Sequence, residues 1–198
     1  MKKEKKTPTP TLVGPRVVLR PLRKEDKEAR QACGMHPDIV RGYASGKKMM
    51  PMSAEQADEW YGRMVKYNSP TSWMIDFGDT LIGRARLDVV AGPANKAHYI
   101  VGMFNPSYQY GGLDIETTRL VLDYGFNTLG LHRIDVRVLD INLAAQNCYA
   151  ECGFSVEGRE HDSAFYNEQW HDEYIMAIVE NAYREAEQRW QARSSMFD

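Results

Sequence analysis

Residues 97–126 constrain the fold of this chain more than any other stretch. The segment begins with an apolar run of strand length, and from Leu113 onward its apolar side chains recur at helical spacing. Between the two, Asn105-Pro106 marks a turn, and Gly111-Gly112 comes just before the helix. Paired glycines let the backbone approach a ligand closely, and the first N–H groups of a helix carry a partial positive charge. The stretch predicts a strand, a turn and a helix that begins at a phosphate-binding loop, although an ordinary strand-to-helix corner shares this pattern.

Composition argues against several classes of protein. The chain has 198 residues and a formal net charge of -2, so its charge gives no drive toward nucleic acid or an anionic membrane. The basic N-terminal run is followed by no apolar segment long enough for a signal peptide or a membrane span. The three cysteines, Cys33, Cys148 and Cys152, have no His or Cys partners at zinc-site spacing. We expect a cytoplasmic protein that binds no metal and has no membrane or nucleic-acid partner.

Periodicity along the chain predicts seven strands and five helices. Ser53 and Gln56 form a capping-box signature at the start of the second helix, and Gly78-Asp79 predicts a tight hairpin turn. An antiparallel meander beside a strand-helix-strand-helix unit indicates a mixed α+β fold with helices on both faces of the sheet. The predicted strands are 16–22, 72–77, 81–90, 97–104, 133–139, 154–157 and 173–179, and the predicted helices are 24–33, 53–67, 113–126, 142–152 and 181–193.

The domain organisation follows from these elements. Residues 1–14 are charged and then rich in Thr and Pro, which predicts a mobile basic arm. We expect a single domain over 15–180 and a charged helix or tail over 181–198, whose thin apolar stripe fits either partial order or a homodimer contact. Two loops are candidates for substrate choice. Residues 42–52 contain three methionines, which could equally fill the core, and residues 159–172 form a polar and aromatic loop long enough to be functional.

Four separated segments resemble one family. They are NPSYQYGGLD at 105–114 followed by Glu116, LGLHRI at 129–134, NLAAQNCY at 142–149 closed by CGF at 152–154, and the segment 166–176. In this order and spacing they are similar to the GNAT acetyltransferases, and within them to the branch of ribosomal-protein N-acetyltransferases of the RimJ and RimL type. The resemblance covers residues 14–179.

The resemblance implies the GNAT acyl-CoA N-acyltransferase fold, with a central, twisted, mostly antiparallel sheet of about seven strands. Strands 4 and 5 of this fold part to hold acetyl-CoA, which donates an acetyl group to a primary amine of a protein N-terminus or a small molecule. By the resemblance, the fourth strand and Asn142 bind the pantetheine arm, and the glycine loop binds the diphosphate. The implied cofactor-binding residues are Val101, Gly102, Met103, Phe104, Gln109, Tyr110, Gly111, Gly112, Leu113, Asp114, Asn142 and Asn147.

The resemblance also implies a general acid. It places Tyr149 near the thioester sulfur, where it would protonate the leaving thiolate, although an aromatic side chain on an apolar helix face also fits a core position. The candidate base is Asp135, on the fifth predicted strand, which equally fits an ion-paired residue. A water chain or no dedicated base remains open. Weaker candidates for the base are Glu116, His98 and His171.

Three positions depart from the family pattern. Asp114 stands where the phosphate loop usually ends in Gly or Ala, and a carboxylate repels a diphosphate unless it caps the helix. Tyr110 replaces a glycine, and Tyr99 stands where this branch often has a glutamate. Two alternatives therefore remain open: a GNAT-fold protein that binds CoA or another acyl ligand without catalysis, and an interaction module with a degenerate cofactor slot.

Overall fold

The computed structural model describes residues 8–35, 49–109 and 111–194. They form two compact units. The first contains the described residues within Met1–Leu87 and Ile100–Thr117, and the second contains those within Asp88–Tyr99 and Thr118–Asp198. Tyr110 and most of the predicted methionine loop, residues 42–48, lie outside the described residues.

The described part of the chain contains eight strands and five α-helices. The strands are β1 (Leu12–Val13), β2 (Val17–Arg20), β3 (Ser72–Phe77), β4 (Thr80–Val90), β5 (Lys96–Met103), β6 (Arg133–Leu139), β7 (Ser155–Tyr166) and β8 (Gln169–Val179). The helices are α1 (Asp26–Cys33), α2 (Ala54–Lys66), α3 (Leu113–Asp123), α4 (Leu143–Glu151) and α5 (Glu180–Ser194). A 3-10 turn, Pro106–Gln109, precedes α3, and a π-helical turn, Tyr124–Thr128, follows it.

The strand order of the sheet is β1-β2-β3-β4-β5-β6-β8-β7. The pairs β1–β2, β2–β3, β3–β4, β6–β8 and β7–β8 are antiparallel, and β5 pairs with β6 in parallel. The predicted mixed α+β class and mostly antiparallel sheet are therefore confirmed. The sheet has one strand more than expected because β1 was not predicted, so the predicted strands 4 and 5 are β5 and β6.

The additional strand lies in the segment predicted as a mobile arm. Leu12 and Val13 pair with β2, and Trp73 donates its indole N–H to the carbonyl of Pro10 at 2.9 Å. Trp73 is fully buried, and a buried indole N–H requires an acceptor. This end of the predicted arm is therefore ordered. Leu12–Val13 form an edge strand, and the Pro10 carbonyl just before it is the acceptor for the Trp73 indole.

A cluster of apolar side chains forms a core in the first unit. Its α2 side chains are Ala57 and Trp60, and the edge of the Trp60 ring packs against Phe104 at a centroid distance of 5.7 Å. The predicted capping box is confirmed, because the Ser53 side chain accepts from the Gln56 amide and the Gln56 side chain accepts from the Ser53 amide. The cap fixes where α2 begins and hence which face of the helix is buried.

The predicted functional loop at 159–172 is wrong, because these residues form most of a long hairpin in the second unit. Strands β7 and β8 pair down to Tyr166–Gln169, and Asn167 and Glu168 make the turn with φ of 52° and 63°. Two left-handed residues in a two-residue turn match the twist of a hairpin. The register shifts between Glu160 and Ala164. This irregularity and the polar side chains remove the alternation that would have indicated a strand.

Helix α5 packs onto its own unit. The Tyr183 ring stacks on Phe126 at 4.6 Å, and both Tyr183 and Ala186 are buried. Gly153, the predicted C-cap after α4, has a φ of 96°, and a Cβ at this position would lie 2.9 Å from the Cβ of Ala186. The thin apolar stripe of α5 therefore contacts the chain itself.

Candidate functional site

The glycine pair adopts the backbone conformation that the sequence pattern requires. Gly111 and Gly112 have φ of 86° and 78°, in the left-handed region that side chains disfavour. Helix α3 begins directly after them at Leu113, and the Glu116 amide donates to the Gly112 carbonyl at 3.0 Å. The first N–H groups of a helix lie at its positively charged end, because they precede the regular backbone bonds of the helix. The geometry of this loop is suited to an anion at the helix start.

Asp114 lies within the first turn of α3. Its Oδ1 accepts from the Ile115 amide at 2.9 Å. The carboxylate is therefore held against the positive end of its own helix, where a negative charge is stabilised. Because Asp114 is already the second residue of α3, this bond to its neighbour is not the N-cap that the sequence suggested.

Glu116 joins the glycine loop to the start of β2. Its Oε1 accepts from the amides of Arg16 and Val17 at 2.7 and 2.9 Å, and its Oε2 accepts from Nε of Arg16 at 2.8 Å. Nη1 of Arg16 donates to the carbonyl of Gly111 at 2.8 Å. Both oxygens of Glu116 are therefore occupied, which argues against its role as a base. No pattern in the sequence indicated this role for Arg16.

The strand that leads into this loop packs closely on β4. The Phe104 amide donates to the Ile82 carbonyl at 2.8 Å, and a Cβ on Gly83 would lie 2.7 Å from the carbonyl oxygen of Gly102. One edge of β5 at Val101–Phe104 is thus occupied by β4, while a Cβ on Gly102 would meet open space.

In the second unit, Tyr149 lies among aromatic side chains. It is 6% exposed, with its ring 6.4 Å from that of Tyr99 and 5.5 Å from that of Phe154. The Tyr99 hydroxyl lies 3.3 Å from Oγ1 of Thr118, and burial raises the pKa of Tyr99. Tyr99 therefore stays a neutral phenol and does not replace the carboxylate that the family branch often has there.

Helix α4 places the other two predicted cofactor-binding side chains. Asn142 is its N-cap, since Oδ1 accepts from the Ala145 amide at 3.1 Å. Asn142 is buried, whereas Asn147 is exposed. The fixed side chain of Asn142 orients the start of α4.

Asp135 has a partner that the sequence did not indicate. Strands β5 and β6 pair over three residues, ending at His98–Asp135, although both strands continue. Nδ1 of His98 lies 2.6 Å from Oδ2 of Asp135. The Asp135 side chain is 12% exposed and that of His98 is 52% exposed. The short ladder leaves Tyr99 and Val136 without a parallel pairing, as a pair of splayed strands requires.

The sequence was compared with models of known protein families. The sequence model described as "Acetyltransferase (GNAT) domain" matches residues 16–155, which is more than half of the chain. The chain belongs to the GNAT acetyltransferase family. Members of this family use acetyl-CoA as the co-substrate, and this chain is a GNAT N-acetyltransferase.

Relatives and solved structures agree with the GNAT assignment. The chain is 32% identical to the "Probable N-acetyltransferase YjcK" of Bacillus subtilis (strain 168) over 101 residues, which are 51% of this chain and 56% of that protein. It is 26% identical to the "Spermidine N(1)-acetyltransferase" of Escherichia coli (strain K12) over 84% of this chain and 88% of that protein. A GNAT acetyltransferase structure from Bacillus anthracis has a TM-score of 0.68 and 20% identity, covering 87% of this chain and 99% of that one, and it shows the same fold.

The residues that the sequence predicts for the site fall in both units. The glycine loop, with Leu113 and Asp114, lies in the first unit, and Asp135, Asn142, Asn147 and Tyr149 lie in the second. Gln109 belongs to the 3-10 turn before the loop. Within the described ranges, we find no group of three His, Cys, Asp or Glu side chains arranged to hold a metal ion. None of the helices described is long and apolar enough to cross a bilayer.

Proposed function

We propose that this GNAT protein transfers an acetyl group from acetyl-CoA to a primary amine by direct attack of the amine on the thioester. The match of the GNAT domain carries this proposal, and the left-handed glycine pair at the start of α3 agrees with it. The amides of the glycine loop bind the diphosphate, and the backbone at Val101–Phe104 and the side chain of Asn142 bind the pantetheine arm.

Tyr149 donates a proton to the departing sulfur. The amine nitrogen forms a bond to the thioester carbonyl carbon, the carbon–sulfur bond breaks, and CoA leaves as the thiol once it receives the Tyr149 proton. Holding the two reactants in line supplies much of the rate, on the order of 7–11 kcal/mol in well-oriented reactions. The buried position of Tyr149 supports this role, because its hydroxyl is protected from bulk water.

Asp135 takes the proton of the attacking amine through His98. The Asp135 carboxylate is largely covered and bonded to the imidazole, so His98 is its route to solvent and to the acceptor. Successive residues of a strand point to opposite faces. Tyr99 packs against Tyr149, so His98 and Asp135 face the other side of the sheet from Tyr149. An acid and a base on opposite faces suit attack through a gap between parted strands.

The acceptor is a primary amine, which belongs either to a small polyamine or to a protein N-terminus. The E. coli relative is named for spermidine, which supports a small polyamine. The motif resemblance to the RimJ and RimL branch supports a protein N-terminus instead. We therefore propose both amine classes as the substrate panel, with spermidine tested against peptides that carry free N-termini.

Calorimetry and thiol release together test the function. Acetyl-CoA should bind the wild-type protein, and free thiol should appear when an acceptor amine is added. Gly112→Ala should weaken binding of acetyl-CoA, because a side chain at this φ costs roughly 1–2 kcal/mol of strain in the loop. Gly78→Ala, at a φ of 56° in the β3–β4 turn, has a similar backbone cost and should bind normally. Binding without thiol release from any amine would favour the non-catalytic alternative, and absence of binding would refute the proposal.

A further inference from the structure

The ion pair between Arg16 and Glu116 joins two segments that are 100 residues apart at the glycine loop. We infer that it is a clamp that orients the peptide between Gly111 and Gly112 so that its N–H faces the diphosphate of acetyl-CoA. This inference rests on the proposed function and assigns a positioning role to two residues outside the loop.

The Arg16 guanidinium holds the peptide between Gly111 and Gly112 through its carbonyl. Nη1 of Arg16 donates to the Gly111 carbonyl at 2.8 Å. The C=O and N–H of a trans peptide point in opposite directions, and no cis peptide occurs among the residues described. Fixing the Gly111 carbonyl on Arg16 therefore fixes the Gly112 N–H on the opposite side. It also removes an electron-rich carbonyl from the face where an anion would bind.

The peptide between Gly111 and Gly112 has no fixed orientation of its own. Glycine populates positive and negative φ about equally, so two consecutive glycines leave the peptide between them free to rotate. No side chain on either residue restricts it, and a Cβ on Gly111 would meet open space. The Arg16 guanidinium is the external contact that selects one orientation. A Cβ on Gly112 would lie 3.4 Å from Nη2 of Arg16, so the guanidinium is close to both glycines.

The Arg16 guanidinium is itself held in place by Glu116. Glu116 holds it at Nε, and the same carboxylate accepts the amides of Arg16 and Val17, which fixes the start of β2 against the first turn of α3. The Glu116 side chain is only 12% exposed, so the carboxylate is held in place. Because Glu116 neutralises Arg16, the pair contributes orientation rather than net positive charge. The clamp therefore acts through the Gly112 amide and not through direct attraction of the phosphate.

Affinity for two acetyl donors tests the clamp. Arg16→Gln and Glu116→Gln should each weaken binding of acetyl-CoA about tenfold, since one oriented hydrogen bond to a charged group contributes that much. The double variant should lose little more affinity for acetyl-CoA than either single variant, because each single substitution already removes the Arg16–Glu116 clamp. S-acetylpantetheine, which carries no phosphate, should react with the same kcat/KM in all variants. Arg184→Gln removes an exposed, ion-paired arginine on α5 and is the matched control.

Any of the following results would overturn the inference that Arg16 and Glu116 form a clamp. Unchanged acetyl-CoA affinity in both variants would show that the loop orients itself. Equal losses for acetyl-CoA and S-acetylpantetheine would show a general structural defect. A loss in Arg16→Gln alone would mean that Arg16 contacts the phosphate directly. If the wild-type protein fails to bind acetyl-CoA, the proposed function fails first and the clamp falls with it.

Discussion

Nδ1 of His98 lies 2.6 Å from Oδ2 of Asp135 at the last residue pair of the parallel ladder between β5 and β6. The two residues are 37 positions apart, and the sequence offered Asp135 as the candidate base and His98 as a separate, weaker one. In this contact the largely covered carboxylate orients a half-exposed imidazole. The pair lies where the parallel ladder between the two strands ends.

Removing His98, through which the proposed base Asp135 acts, should lower the rate of acetyl transfer. We expect His98→Gln to reduce kcat by about a hundredfold, the lower range for general base catalysis, with little change in acetyl-CoA affinity. Asp135→Asn should have a smaller effect in steady-state assays, since it leaves the imidazole in place. His161→Gln is the matched control, because His161 Nδ1 also lies 2.9 Å from a carboxylate oxygen, that of Asp172. Full activity in His98→Gln would exclude the pair as the base.

Loss of the Tyr149 hydroxyl should affect chemistry rather than binding. In Tyr149→Phe, kcat should fall by about a hundredfold while the calorimetric affinity for acetyl-CoA is retained, because the ring stays in its aromatic cluster. Tyr183→Phe removes another buried hydroxyl, one that donates to Glu187 at 2.9 Å, and should keep normal kcat. If Tyr149→Phe turns over like wild type, the thiolate receives its proton elsewhere.

Replacing Gly153 with a larger residue should destabilise the second unit. A Cβ there would lie 2.9 Å from the Cβ of Ala186 and 3.1 Å from Cδ1 of Ile178, at a φ of 96°. Gly153→Ala should lower the free energy of unfolding by about 2–4 kcal/mol, from overpacking together with backbone strain. Gly130→Ala has a φ of 64° with open space around it, so it should cost only about 1–2 kcal/mol. Urea unfolding would compare them, and equal losses would contradict the packing argument.

The β7–β8 hairpin should lose stability at low pH. The Asp162 amide, with help from the side chains of His161 and Arg159, lowers the pKa of Asp172. A carboxyl group whose pKa is lower in the folded state stabilises the fold above its unfolded pKa, near 3.9, and this stabilisation is lost as pH falls through the folded value. Asp172→Asn should therefore unfold more readily than wild type at pH 7. The two proteins should converge once the pH is below the lowered pKa of Asp172 in the folded state, and a difference that persists as the carboxyl group protonates would contradict the assignment.

Local patterns were sufficient to predict the central part of the fold. The strand, glycine pair and helix of residues 97–126, the α2 capping box and Gly153 each depend on neighbours within a few residues, so their signals are present in the sequence. The long hairpin was missed because its strands are polar and irregular in register. The edge strand β1 was missed because its anchor is the buried Trp73 indole, far along the chain.

The sequence by itself determined that this chain has a glycine loop at a helix start and a GNAT arrangement of motifs, and it predicted Tyr149 as the general acid. Only the tertiary structure decided that Asp135 is bound to His98 and Glu116 to Arg16. Those pairs join residues on different strands and helices, and their distances depend on strand register and helix docking. No spacing within one segment encodes such contacts, because the intervening chain can be of any length that allows the two ends to meet.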